Sequence, residues 1–224
     1  YESKSKLVVY QNAAVATDAP YCAPYGREIL EKNGSAIDAA ISVLLCMGVV
    51  IPESMGLGGG PLITYYDAKT KTAKVIDGRE VAPLRSSANM FKGNASLAGK
   101  GPLSIAVPGE LKAYWTAHQM YGRLPWSTLF DGAIKMSESG FTVHEHLATV
   151  FRVRKDVLQK YDFASMIRDV FTNPQTNQFY KEGEFFKFPL LAKTLRKIAN
   201  LSADYFYNGE LGEQLVAELR EMGK

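Results

Sequence analysis

The residues best suited to chemistry are one arginine at the end of a β-rich run, a glycine-dense loop, three histidines and two cysteines. Arg79 lies in Asp77-Gly78-Arg79-Glu80, directly after Thr72-Ala73-Lys74-Val75-Ile76. A guanidinium projecting from a strand end can take a carboxylate through two parallel hydrogen bonds. A structural ion pair on the surface accounts for the same residue, so both readings stand at this level. Met55-Gly56-Leu57-Gly58-Gly59-Gly60 invites a phosphate loop, but its spacing fails. Counted from Gly56, the third glycine of a dinucleotide fingerprint falls on Pro61, no Lys-Ser/Thr follows, and a strand comes next where a helix is needed. The remaining reading is a tight bend in which positive φ angles or close backbone approach exclude side chains.

His144-Glu145-His146, with His118 elsewhere, lacks a nearby third ligand, so no metal site is assigned. Cys22 and Cys46 form no Cys-x-x-Cys redox motif and are too few for a four-cysteine zinc site; from spacing alone they read as two buried thiols. No Gly-x-Ser-x-Gly elbow is present, which argues against a self-contained serine hydrolase.

The elements that would carry these residues follow from periodicity and punctuation. Leu7 to Val15, with Thr17, reads as a strand turning at Asp18-Ala19-Pro20; Gly26 to Lys32 is helical and stops at Asn33-Gly34. Ser35 and Asp38 make a capping box for Ala36 to Val50, a helix apolar nearly all round and therefore buried. Leu62 to Tyr66 and Thr72 to Ile76 form a hairpin across Asp67-Ala68-Lys69-Thr70-Lys71. Pro83 to Lys100 is a polar loop and Leu103 to Val107 another strand. Helices are expected over Glu110 to Tyr121, Pro125 to Ser139, His144 to Tyr161, Pro189 to about Asn200, and from Asn208-Gly209 to Met222, with a strand at Phe185 to Phe188.

With 46% hydrophobic and 22% charged residues in 224, the composition is that of a globular protein with a sizeable core. A net charge of +3 without a long like-charged run does not call for nucleic acid. Ala39 to Ile51 is too short to span a bilayer, and Tyr1 to Lys6 is polar, so any signal or anchor is expected upstream. Three Asn-x-Ser/Thr sequons, at Asn33, Asn94 and Asn200, matter only in a secreted chain. Asn94 is expected to carry glycan first, being in the polar loop, with Asn200 second. No repeat or linker divides residues 1–224, so one unit without an internal boundary is expected.

Several segments together resemble γ-glutamyltransferases, in the family's order: Ala14 to Ala19, Gly34 to Ile41, Met55 to Gly60, Asp77 to Pro83, Leu103 to Glu110, Tyr121 to Trp126, and Phe206-Tyr207-Asn208-Gly209. The resemblance is to the front of the large subunit. It implies an α+β fold, the αββα sandwich of N-terminal-nucleophile hydrolases, to which this chain supplies a helical layer and some strands. It implies that Arg79 pairs with the α-carboxylate of a γ-glutamyl group and that Cys22 and Cys46 form a disulfide. It also implies a glycosylated enzyme on the outer cell surface, its anchor upstream. The partners implied are a small subunit, glutathione or other γ-glutamyl compounds, and amino-acid or dipeptide acceptors. No cofactor belongs to the scheme, and the attacking threonine is expected beyond Lys224, in the small subunit. The alternative is a truncated or inactive homologue serving as a secreted binding or structural protein.

Overall fold

The computed structural model describes residues 7–160 and 164–222. Two neighbouring helices open the fold, α1 (Ala23–Glu31) and α2 (Ala36–Val50), joined by a four-residue turn. The turn is a Schellman motif: the Gly34 N–H donates to Ile29 O at 2.9 Å and the Asn33 N–H to Leu30 O at 3.0 Å. Asn33, with φ of 63°, and not the glycine after it, takes the left-handed position. Helix α2 then starts on the expected capping box, Asp38 N–H donating to Ser35 Oγ at 3.0 Å and Ser35 N–H to Asp38 Oδ2 at 2.8 Å. Its Ile37, Ile41, Leu45, Cys46, Val49 and Val50 are all buried, as an apolar circumference requires.

The hairpin follows, β1 (Leu62–Asp67) pairing antiparallel with β2 (Thr72–Asp77), with Leu62 opposite Asp77 and Asp67 opposite Thr72. Along β1, Ile63 and Tyr65 are half-buried and Leu62, Thr64 and Tyr66 exposed, the alternation of a one-sided strand. Tyr65 stacks on Tyr121, ring centroids 4.0 Å apart, which fixes the hairpin to α3 (Glu110–Tyr121). Beyond α3 come α4 (Asp131–Ser139), β3 (Phe141–Thr142), α5 (Glu145–Val153), α6 (Lys155–Lys160), α7 (Ser165–Phe171), β4 (Thr172–Asn173), β5 (Gln178–Phe179), β6 (Phe185–Phe186), α8 (Pro189–Leu201), α9 (Asp204–Asn208) and α10 (Glu210–Met222). A helical layer of α1, α2, α4 and α8 holds most of the core; the Trp126 indole N–H bonds Ile198 O at 3.2 Å and ties α8 to the turn before α4. The short pairs β3–β6 and β4–β5 are antiparallel and close around Phe151, Phe171, Phe179 and Phe186.

Several expected elements differ. Leu7 to Val15 is not a strand: it forms no ladder with any described residue, and Leu7, Val8, Val9 and Tyr10 are exposed. Leu103 to Val107 is a 3-10 turn, Pro102–Ser104, followed by a lone bridge from Val107 to Val81. Pro102 lacks the N–H a ladder needs, and Gly101 enters it with φ of 82°. The first helix begins earlier than expected, at Ala23, with Pro24 in its first turn. Pro125 to Ser139 is a 3-10 turn, Trp126–Phe130, before α4. The helix expected from His144 breaks at Arg154, whose φ of −95° and ψ of 3° leave helical geometry; Tyr161, its expected end, lies outside the described residues, as does Tyr1 to Lys6.

Candidate functional site

Arg79 stands two residues past β2 on a backbone fixed from three sides. The Asp77 carboxylate accepts its N–H at 2.9 Å, an Asx turn that swings the chain out of the strand. The Gly78 N–H donates to Pro61 O at 2.9 Å, and the N–H groups of Gly109 and Glu110 converge on Gly59 O at 2.9 and 3.0 Å. The glycines here answer close approach. A Cβ at Gly60 would stand 2.2 Å from Gly78 O, one at Gly109 1.9 Å from the same oxygen, and one at Gly78 2.5 Å from the Ala113 side chain. None of the glycines from Gly56 to Gly60 has a positive φ. The loop that failed as a phosphate cradle is thus a seat for the Gly78–Arg79 peptide.

From this seat the guanidinium projects with 72% of its side chain exposed and makes an ion pair with Glu80, Nη1 to Oε2 3.1 Å. The fork is therefore rigidly based and accessible, beside a carboxylate that an incoming carboxylate would have to share or displace. Behind it Glu110, the first residue of α3, is buried, and the Tyr114 hydroxyl one turn on donates to its Oε1. Burial first, and the Glu80 charge besides, hold the Glu110 carboxyl above its ordinary range, while the Tyr114 bond acts the other way. Burial also pushes the Tyr114 phenol up.

The remaining sequence candidates lie elsewhere. Cys22 and Cys46 are bonded, Cα to Cα 5.6 Å, pinning the start of α1 to α2. His144 caps α5, its Nδ1 accepting the Leu147 N–H at 3.4 Å, while Nε2 lies 3.1 Å from Val50 O. His144 and His146 face the buried Glu53 carboxylate, Nε2 to Oε1 3.7 and 3.9 Å, and not each other's neighbour Glu145. His118 braces a turn through Leu124 O at 2.8 Å. Among the described residues no group of three or more His, Cys, Asp or Glu side chains is arranged to hold a metal ion. Asn33, Asn94 and Asn200 are all exposed; Asn94 Oδ1 accepts from the N–H and the hydroxyl of Ser96 at 3.1 and 2.8 Å. A cavity of about 880 Å³ runs between Ala13–Asp18 and α2, and Arg79 is not in its lining.

Sequence reasoning missed Glu110, Tyr114 and Gly109. An acid opening a helix reads as a partner of the helix dipole, and only its spacing of four from Tyr114 hinted at a bonded pair.

The architecture places the chain among N-terminal-nucleophile hydrolases. It superimposes on Helicobacter pylori γ-glutamyltranspeptidase with a TM-score of 0.89 at 30% identity, over 97% of this chain and 62% of that one. The family model for gamma-glutamyltranspeptidase matches residues 22–224, and the chain belongs to that family. It is 41% identical to scoloptoxin SSD14 of Scolopendra dehaani over 99% of its own length and 38% of that protein's. To glutathione hydrolase 3 of Arabidopsis thaliana it is 38% identical, over 98% of its length and 34% of that protein's. The chain thus spans little more than a third of the curated relatives it matches.

Proposed function

We propose that this chain is the substrate-gripping part of the large subunit of a γ-glutamyltransferase, a glutathione hydrolase, and that Arg79 holds the α-carboxylate of the γ-glutamyl group. The observation that carries the reading is the rigid glycine seat beneath a largely exposed guanidinium. Two parallel N–H bonds to one carboxylate fix its orientation as well as its distance. The carbonyl to be attacked lies three bonds from the α-carbon, so that orientation places it.

The nucleophile in this scheme is the N-terminal threonine of a small subunit. Its Oγ attacks the γ-amide carbon, its own α-amino group takes the hydroxyl proton and passes it to the leaving amine, and a γ-glutamyl ester results. Water then releases glutamate, or the amine of an amino acid or dipeptide takes the acyl group, so hydrolysis and transpeptidation share their first half. The Cys22–Cys46 bond favours an oxidising compartment and hence the outer cell surface or secretion. Among the described residues no helix is long and apolar enough to cross a membrane.

The test is turnover of γ-glutamyl-p-nitroanilide by the complete protein. Release of p-nitroaniline, stimulated by a dipeptide acceptor, is the expected result. A complete protein that carries the threonine and releases none would favour the non-catalytic alternative.

A further inference from the structure

We infer that Glu110 is a positioning residue for Arg79: its buried carboxyl, anchored by Tyr114, sets where the Glu80 carboxylate stands and so aims the guanidinium. The inference rests on the reading of Arg79 given above. Glu110 is 4% exposed, and its main-chain N–H is bonded to Gly59 O, so its backbone shares the seat that carries Gly78 and Arg79. The Tyr114 hydroxyl fixes one carboxyl oxygen. The other, Oε2, comes within 3.5 Å of the point where Gly59 would carry a Cβ, and Glu80 Oε1 within 3.8 Å of that point. Two carboxyls therefore flank one bare glycine, and Glu80 is the one paired with Arg79.

The chemistry of such a pair depends on the charge of its buried member. Two carboxylates side by side repel, and the more deeply buried one keeps its proton longer; the causes acting on Glu110 have that sign. With Glu110 neutral, the Glu80 charge is left to Arg79 alone. When Glu110 ionises as the pH rises, a second negative charge behind Glu80 disturbs the Glu80–Arg79 pair. A role confined to holding the start of α3 would give neither a charge dependence nor a preference for substrates with an α-carboxylate.

The experiment compares γ-glutamyl-p-nitroanilide with 4-aminobutanoyl-p-nitroanilide, which lacks the α-carboxylate, across pH in the complete enzyme. Glu110→Gln, a neutral isostere, should lose the decline with rising pH that Glu110 ionisation imposes on the carboxylate substrate. Tyr114→Phe removes one hydroxyl and leaves the ring, so it should fold. It should raise KM for the carboxylate substrate about tenfold, the upper end for one neutral hydrogen bond, with little change for the analogue. Equal losses on both substrates or no loss on either in Tyr114→Phe, or an unchanged pH profile in Glu110→Gln, overturns the inference. If Arg79→Ala discriminates between the substrates and Tyr114→Phe does not, the inference fails alone. If Arg79→Ala does not discriminate, the reading of Arg79 has failed and this one with it.

Discussion

Asp38 is the residue whose loss the fold should feel most among the polar groups. It is fully buried, and a single oxygen, Oδ2, accepts the N–H groups of Ser35 at 2.8 Å, Arg123 at 2.9 Å and Leu124 at 3.2 Å. One side chain thereby caps α2 and clamps the turn after α3, whose Tyr121 in turn carries the hairpin. Asp38→Ala strips three donors of their acceptor. An unsatisfied buried donor costs about 1–3 kcal/mol, and these are only partly buried, so water can recover some of that cost. The expected destabilisation is about 3–5 kcal/mol, a large share of the 5–15 kcal/mol typical of a domain. Asp38→Asn keeps an oxygen of the same shape without its charge and should lose about half as much. Urea unfolding of the complete protein, followed by far-ultraviolet circular dichroism, reads both changes as shifts in midpoint at constant slope. Because Ser35 and Asp38 bond each other, Ser35→Ala and Asp38→Ala should be less than additive when combined. A loss below about 1 kcal/mol in Asp38→Ala would show that the turn is held by other contacts and refute the clamp.

Replacing both Cys22 and Cys46 by alanine should cost about 3.5 kcal/mol, the chain-entropy value for a loop closed by residues 24 apart; a denaturation midpoint unmoved by the double change would contradict it. Gly109→Ala would set a methyl group 1.9 Å from Gly78 O. The seat must shift, so stability should fall by at least about 1–3 kcal/mol and KM for a γ-glutamyl substrate should rise, whereas an active, fully stable variant would show that the close approach is dispensable. Peptide mapping of protein made in a eukaryotic secretory host should find glycan on the exposed Asn94 ahead of Asn200 and Asn33, and an unmodified Asn94 would defeat that order.

Helix α2, its capping box and the β1–β2 hairpin were legible because each is specified by neighbours in sequence: a cap three residues from its partner, and an alternation closed by a short polar turn. Leu7 to Val15 and Leu103 to Val107 were not, since a β-rich run reports a side chain's fit to a pleated surface and says nothing of which strand supplies it. The same limit governs the site. Arg79 was visible as an exposed fork after a strand, but its support comes from Gly59, Gly60 and Gly109 in two other segments. The glycine loop offered two explanations, and only the fold decides for close approach over positive φ. Asp38 was readable as a capping acid, whereas its bonds to Arg123 and Leu124 span 85 and 86 residues and left no local signal.

The central claim is that Arg79 grips an α-carboxylate, and substrate subtraction tests it most directly. In the complete enzyme, kcat/KM is measured for γ-glutamyl-p-nitroanilide and for its analogue without the α-carboxylate, in wild type, Arg79→Lys and Arg79→Ala. Lysine keeps the charge and loses the fork. Losing one charge-assisted hydrogen bond costs about 1.5–3 kcal/mol, so Arg79→Lys should lower kcat/KM on the full substrate roughly ten- to a hundredfold, and Arg79→Ala more. On the analogue both variants should approach wild type. Equal losses on the two substrates would make Arg79 a structural residue and contradict the account.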